Sequence, residues 1–271
     1  LVYLSVIVVL CFRQKKIPTF RGKVFKWLIL FSLANVFFDL CSAWMLSNAY
    51  YFNWWSLTLI NCLYLSFACT VPALYTVYAT VLINRKRNRK TWLNALYFLP
   101  TILTFIVIWA SFFTTGPSWS DGIGAFYIRI DPRMMTWGYS SGPSFFLIYA
   151  IPAICIFYVY FLLLTTKKVT GTKKAIIYFI MTAVVVSMIF QLVLKDAYND
   201  GYRTVSTGNA LAMVFAYFEI ESPGDYIDKD TDAFNEMAFQ TMTQEYLSLN
   251  VEFSTVILTG TSYDAIMQQF G

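Results

Sequence analysis

The chain has 271 residues, of which 58% are hydrophobic and only 13% charged, and its formal net charge is +5. Soluble domains are typically about 25% charged, so these values exclude a protein whose whole surface faces water. The sequence has no histidine, which excludes a histidine-based metal centre, a Ser–His or Cys–His catalytic pair and a phospho-accepting histidine within these residues. The positive charges form short clusters between apolar segments, as membrane topology requires, so we expect no nucleic-acid partner.

Apolar segments close to the ~20 residues that a helix needs to cross a bilayer recur through the first four-fifths of the chain. They predict an α-helical membrane bundle of about seven transmembrane helices, at 1–12, 27–48, 54–83, 92–113, 144–165, 174–195 and 204–220. The first segment is too short to span a bilayer, so we expect it to be the end of a truncated helix. All five cysteines lie in these segments without a CxxC pair, which is typical of packing residues and not of a metal site.

Basic residues concentrate in three alternate connections of this predicted bundle. The connections after the first, third and fifth helices hold most of the 20 Lys and Arg residues. By the positive-inside rule these connections are cytoplasmic, so the N-terminus is predicted outside and the C-terminus inside. The expected location is the cytoplasmic (inner) membrane of a bacterium, with the lipid bilayer as the surrounding partner. The remaining long connection, 114–144, is rich in Gly, Pro, Trp and Tyr. A lid over the bundle and a loosely ordered connector are both compatible with that composition.

Asp39 is the ionisable residue that lies well inside a predicted span. An acid in that position costs roughly 2.5–3.5 kcal/mol on insertion scales, so it should face the bundle interior. Asn35 precedes it by one helical turn on the same face, and Asn61 and Gln191 are candidate partners from other helices. The four residues form a candidate intramembrane polar site. Two interpretations stay open: a hydrogen-bonded clamp between helices, and a site for a proton or for an extracellular or membrane ligand.

The composition becomes typical of a soluble domain after residue 220. The stretch Ser222–Pro223–Gly224–Asp225 breaks the last predicted span, so 221–227 is interpreted as a linker. Thr231 or Asp230 is placed to cap a following helix that runs to about Leu249. A β-rich run at 253–259 and a helical pattern at 263–270 come next. This order predicts the start of an α/β domain at 228–271.

Four residues of this tail fall on a recognisable spacing. Asp228, Thr231, Asn235 and Phe239 match the pattern D-x-x-T-x-x-x-N-x-x-x-F. The segment 228–271 therefore resembles the opening of GGDEF domains, the diguanylate cyclase family, whose first strand and next helix would correspond to the run from Phe253. Residues 1–220 in turn look like the seven-helix sensor regions found ahead of such domains, a similarity of architecture and not of motif.

The departures from the cyclase pattern concern its chemistry. In active cyclases the first strand ends in an aspartate that binds Mg²⁺, and a later asparagine reads guanine. The resemblance places uncharged residues at both metal-side acids and at the guanine-reading position; the substituted positions are Thr259, Thr261, Asp264, Met267 and Gln268. A hydroxyl is a far poorer Mg²⁺ ligand than a carboxylate. The resemblance thus implies a degenerate GGDEF-like domain, with no catalytic residue, metal or cofactor expected within residues 1–271.

These features together predict a bacterial membrane signalling receptor. A sensor region at 1–220 would relay an extracellular or membrane signal to the GGDEF-like domain, within a homodimer, in cyclic di-GMP-type signalling. One alternative is an active diguanylate cyclase or a cyclic di-GMP phosphodiesterase acting through domains beyond residue 271. A second alternative is a small-solute transporter, although transporters more often show several charges in the membrane and an internal repeat.

Overall fold

The computed structural model describes residues 1–13, 20–83, 99–114, 126–131, 136–166, 171–197, 204–220, 226–228, 231, 233–248, 252 and 254–256. The helices run in the order α1 (Val2–Arg13), α2 (Phe20–Ser47), α3 (Trp54–Ile83), α4 (Leu99–Thr114), α5 (Leu147–Thr165), α6 (Gly171–Ala197), α7 (Thr204–Ile220) and α8 (Glu236–Ser248). A short 3-10 turn (Ala49–Tyr51) joins α2 to α3, and two strands, β1 (Phe126–Asp131) and β2 (Thr136–Ser141), lie between α4 and α5.

The predicted membrane character is confirmed at the level of helix length and composition. Four of the described helices are long and apolar enough to cross a membrane: α2, α3, α5 and the part of α6 at 174–191. Helices α1, α4 and α7 are also apolar but shorter, with 12, 16 and 17 residues. The predicted bounds of α3 and α7 agree with the structure, because aromatic and turn-forming residues mark the beginning of both helices.

Helix α3 is central: it packs against α2, α4 and α5. Helix α7 packs against α6 and returns to α2 and α1, so the last apolar helix lies beside the first two. Helices α2 and α3 run antiparallel, and so do α6 and α7. Phe25 contacts Tyr78 and Ser42 contacts Asn61 between α2 and α3, and the ring of Phe179 contacts that of Phe215 between α6 and α7.

One end of the bundle, called here the hairpin end, carries β1 and β2. These strands pair antiparallel, with Phe126 opposite Ser141 and Asp131 opposite Thr136. Phe126 is buried, and the indole Nε1 of Trp54 donates a hydrogen bond of 3.1 Å to the carbonyl oxygen of Ile128. The described strands of the long connection therefore form an antiparallel pair packed on the start of α3, referred to below as the hairpin.

The opposite end, called here the basic end, carries the beginning of α2 and the end of α1. The Nζ of Lys26 lies 5.3 Å from the ring centre of Phe12, which brings these two helix ends together. Lys174 at the start of α6 donates a hydrogen bond to the carbonyl oxygen of Thr166, which follows α5. Helix α7 ends at this side of the bundle, at Ile220.

The beginning of α8 corrects one prediction. The Oδ1 of Asn235 accepts a hydrogen bond of 3.0 Å from the backbone N of Ala238, so Asn235 caps the helix. Thr231 was predicted in that role, but both its backbone N and its Oγ1 donate to the Oδ1 of Asp228, each at 3.0 Å. Because Asp228 holds Thr231 in a turn, the threonine hydroxyl is not placed at the start of a helix. The other predicted cap, Asp230, lies outside the described residues.

The predicted α/β domain is not seen in the described part of the tail. Residues 254–256 belong to neither a helix nor a strand, so the strand predicted at 253–259 is wrong for these three positions. A strand needs a partner with which to pair, and a short apolar run alone does not supply one. The helix predicted at 263–270 lies outside the described residues, as do Thr259, Thr261, Asp264, Met267 and Gln268.

Candidate functional site: a buried polar cluster between α2 and α7

Helix α2 carries a row of polar side chains toward the bundle interior. Ser32, Asn35, Asp39 and Ser42 are spaced three, four and three residues apart, which places them on one face of the helix. All four are buried, at 0%, 0%, 5% and 0% exposure. The prediction that Asp39 faces the interior with Asn35 as its neighbour on the same face agrees with this arrangement.

Helix α7 presents a shorter polar row to the same region. Ser206 and Asn209 are three residues apart and are both buried. The hydroxyl of Ser206 donates a hydrogen bond to the Oδ2 of Asp39 and so joins the two helices. Ser206 lies in the first turn of α7, where the helix dipole places partial positive charge that favours a nearby carboxylate. We name Ser32, Asn35, Asp39, Ser206 and Asn209 the α2–α7 polar cluster.

Asn61, predicted as a partner of Asp39, uses its hydrogen bonds elsewhere. Its Oδ1 accepts a bond of 2.8 Å from the hydroxyl of Ser42, and its Nδ2 donates a bond of 2.8 Å to the carbonyl oxygen of Leu57. The Ser42–Asn61 pair therefore fastens α2 to α3 one helical turn from Asp39, toward the hairpin end. This contact is a clamp between helices, as one of the two interpretations expected, but Asp39 is not part of it.

Gln191 is likewise bonded to residues other than Asp39. Its Oε1 accepts a bond of 3.1 Å from the backbone N of Val205, and its Nε2 donates a bond of 3.3 Å to the hydroxyl of Tyr149. Val205 immediately precedes Ser206, so Gln191 caps the first turn of α7 and fixes the helix end that holds Asp39. Gln191 therefore affects the α2–α7 polar cluster indirectly, because it holds the backbone of Val205 next to Ser206.

Several polar groups of the cluster have no hydrogen-bond partner among the described residues. They are both amide atoms of Asn35, both amide atoms of Asn209 and the hydroxyl of Ser32. Burying a polar group without a partner costs about 1–3 kcal/mol. Inside a membrane no bulk water is present to offset that cost. Two buried amides with four unpartnered atoms therefore indicate a place where a polar guest would be stabilised.

The two amides lie at the same depth in the bundle. The N-terminal half of α2 and the C-terminal half of α7 join one apolar cluster that includes Leu28 and Met213, so the helices run antiparallel from the Asp39–Ser206 contact. Asn35 is four residues from Asp39 in that direction, about 6 Å along α2, and Asn209 is three residues from Ser206, about 4.5 Å along α7. The apolar cluster closes the site toward the basic end.

Sequence reasoning missed Ser206 and Asn209. A signal for them exists, because a spacing of three residues places Ser206 and Asn209 on one face of an otherwise apolar helix. Which helix faces α2 depends on tertiary packing, which the spacing does not encode. Among the described residues no group of three or more His, Cys, Asp or Glu side chains could hold a metal ion.

The four residues whose spacing resembled a GGDEF opening follow the end of α7 in the chain. Asp228, Thr231 and Asn235 form the turn and the cap described above. The side chain of Phe239 is 52% exposed, and its backbone N donates to the carbonyl oxygen of Asn235. These residues shape the start of α8.

Comparison with known proteins adds no relative. No protein family, curated protein or solved structure matches this chain.

Proposed function

We propose that this protein is the membrane input unit of a bacterial signalling receptor, in which the α2–α7 polar cluster senses the signal and α7 relays it to a GGDEF-like domain without cyclase activity. The observation that carries the proposal is the double role of α7. Its first turn holds Ser206 against Asp39, and its last residue, Ile220, leads through the linker into the tail. A shift of α7 caused at the cluster would reach the tail through one continuous helix.

Charge distribution supports the direction of this relay. Described basic residues at the ends of α1 and α2, among them Arg13 and Lys26, lie at the basic end, from which the tail also departs. By the positive-inside rule we expect that end to face the cytoplasm, with the tail in the cytoplasm and the hairpin outside. The resemblance of 228–271 to a GGDEF opening supplies the identity of the proposed output.

A relay of this kind needs a site with two energetic states and a rigid element between site and output. The cluster offers the first requirement, because its unpartnered amides would favour any arrangement of α2 and α7 that supplies them with hydrogen bonds. Helix α7 offers the second. The close approach of Gly208 to Ser187 packs α7 tightly on α6, so the helix would move as a unit and not bend within itself.

The test is hydrogen exchange of α8 in the protein reconstituted in lipid nanodiscs. Replacement of Asp39 by Asn, or of Ser206 by Ala, is expected to change the exchange rates of amides at 236–248, far from the substituted atoms. Thr207→Ala is the matched control, since Thr207 is exposed on the same helix beside Ser206. Unchanged exchange in α8 for both cluster variants would refute the relay.

A small-solute transporter is the second candidate, favoured by the same buried amides. Transporters commonly build substrate sites from discontinuous helices. Helices α2 and α7 are each continuous through the cluster, which favours the receptor. Solute uptake by liposomes that contain the purified protein, lost in Asp39→Asn, would establish transport instead.

A further inference from the structure

We propose that α3 and α5 bend together at Pro72 and Pro152, so that the hairpin and α4 tilt as one unit against α1, α6 and α7. Both prolines are buried inside their helices, at the boundary between two separate parts of the apolar interior. The inference goes beyond the proposed function, because it concerns a hinge in the bundle itself and does not depend on the output that the bundle serves.

Each proline interrupts the hydrogen bonds of its helix. Proline has no N–H, so Pro72 cannot donate to the carbonyl oxygen of Ala68. In the same way, Pro152 cannot donate to the carbonyl oxygen of Ile148. The ring of a proline also clashes with that earlier carbonyl, and sharp kinks in long helices occur mostly at such positions. Helices α3 and α5 are therefore weakest against bending at these two residues.

The buried apolar side chains of the described residues form two clusters. The cluster at the hairpin end, called here the hairpin-side core, includes Trp54 of α3, Ile108 of α4 and Phe126 of β1. The cluster toward the basic end, called here the basic-side core, includes Leu163 of α5 together with residues of α1, α2, α6 and α7. In the described part of the chain, the buried apolar residues of α1, α6 and α7 belong to the basic-side core, and those of α4 and β1 belong to the hairpin-side core.

The boundary between the two cores crosses α3 and α5 at their prolines. On α3, Cys69 belongs to the hairpin-side core and Val71, next to the proline, belongs to the basic-side core. On α5, Ile148 belongs to the hairpin-side core and Ile156 to the basic-side core, with the proline midway between them. Packed cores resist deformation, so a bend at these points moves one core against the other and leaves the packing inside each intact.

The two prolines lie at a similar depth in the bundle. Helices α3 and α5 run parallel, because both contribute to the hairpin-side core first and to the basic-side core afterwards. The hydroxyl of Thr76 donates to the carbonyl oxygen of Pro72 at 2.9 Å and lies 3.4 Å from that of Cys155. Thr76 follows its proline by four residues, about 6 Å, and Cys155 follows Pro152 by three, about 4.5 Å. The two weak points are thus within one helical turn of each other, and Thr76 joins the helices just beyond them.

Helix α2 crosses the same boundary at the α2–α7 polar cluster. Val36 belongs to the basic-side core, and Phe38 packs against the hairpin-side core. Asn35, whose buried amide atoms have no partner among the described residues, immediately precedes this crossing. The boundary about which the two parts tilt therefore passes beside the residues proposed to sense the signal.

The experiment measures distances between nitroxide spin labels by pulsed electron paramagnetic resonance in lipid nanodiscs. Cys41→Ser is the background, since the other four cysteines are buried. One label pair spans the hinge, at Ile106→Cys on α4 and Ile189→Cys on α6. A second pair stays on the hairpin side, at Ile106→Cys and Tyr50→Cys. All three labelled positions are exposed.

The spanning pair should show a distance distribution about 5 Å broader than that of the second pair. The contact between Cys62 and Ile108 lies ten residues, about 15 Å along α3, from Pro72, so a bend of about 20° moves that level by roughly 5 Å. Pro72→Ala combined with Pro152→Ala supplies both missing N–H donors and should narrow the spanning pair to the width of the second pair. Each single variant should narrow it in part, so the single variants decide the question if the double variant does not fold.

Pro100→Ala is the matched control, because Pro100 lies in the first turn of α4, where a proline removes no hydrogen bond within the helix. It should leave both distributions unchanged. The hinge is overturned if the spanning pair is as narrow as the second pair in the original protein, or if its width does not respond to Pro72→Ala and Pro152→Ala. A change in mean distance without narrowing would show a fixed kink and would overturn the hinge as well.

Discussion

Gly208 of α7 lies directly against Ser187 of α6. A Cβ added at Gly208 would stand 2.5 Å from the Cβ of Ser187 and 3.4 Å from the carbonyl oxygen of Ala183. Contacts through small residues let two helices approach closely, and the resulting van der Waals packing contributes to helix association in membranes. This contact sets the position of the helix that bears Ser206 and Asn209.

We expect Gly208→Ala to destabilise the protein by about 1–3 kcal/mol, because the added methyl group overpacks the α6–α7 contact. The second variant Ser187→Gly should restore most of the loss, since it removes both side-chain atoms of Ser187 that the new methyl group meets. Ser187→Ala should restore less, because its Cβ remains. Melting temperatures in detergent measure the three effects. Gly171→Ala is the control, since nothing lies within 4 Å of the position of its added Cβ. A Gly208→Ala protein as stable as the original would contradict the close contact.

The Ser42–Asn61 bond allows a test of the polar contact between α2 and α3. Ser42→Ala leaves the buried Oδ1 of Asn61 without its 2.8 Å donor, and an orphaned buried acceptor costs about 1–3 kcal/mol. Ser47→Ala is a matched change on the same helix, but Ser47 is exposed and bonds only its own helix at Ala43. Thermal unfolding should show a clear loss for the first variant and less than about 0.5 kcal/mol for the second. Equal effects would mean that the bond adds nothing to stability.

Local patterns predicted the bundle well because they report the solvent around each segment. Apolar runs of spanning length and alternate basic connections locate helices without any knowledge of their neighbours, and the predicted ranges for α3 and α7 match the structure. The same reasoning placed Asn35 and Asp39 on one buried face, since that relation follows from helical geometry alone.

Hydrogen bonds between different helices could not be predicted from these local patterns. Ser206, and not Asn61 or Gln191, donates to Asp39, and that choice depends on how α7 returns to α2 after the rest of the bundle has packed. At α8, several residues could have capped the helix. Asn235 does so because Thr231 donates its hydrogen bonds to Asp228 instead. Both are local hydrogen-bonding patterns, and composition does not show which of them forms.

Trp54 offers a test of how the hairpin is held on the bundle. Trp54→Phe keeps an aromatic ring but removes the Nε1 donor to the carbonyl oxygen of Ile128. A net loss of about 0.5–1.5 kcal/mol corresponds to roughly 2- to 10-fold faster hydrogen exchange in β1. Trp55→Phe should have no such effect, because the exposed indole of Trp55 makes ring contacts with Trp54 and Phe112. Exchange in β1 that responds equally to both variants would show that ring packing, and not the hydrogen bond, holds the hairpin.

The cap of α8 gives a test in the tail. Asn235→Ala removes the oxygen that accepts the 3.0 Å bond from the backbone N of Ala238, and loss of such a cap costs about 0.5–2 kcal/mol. Asn235→Asp should retain the helix, since aspartate caps as well as asparagine does. Gln240→Ala removes only an exposed side-chain bond to Glu236 one turn away. It should lower the stability of α8 by only about 0.2–0.5 kcal/mol. Hydrogen exchange at 236–248 ranks the three variants. If Asn235→Ala protects these amides as well as the original residue does, α8 is held by its packing, through buried Ala238, and not by its cap.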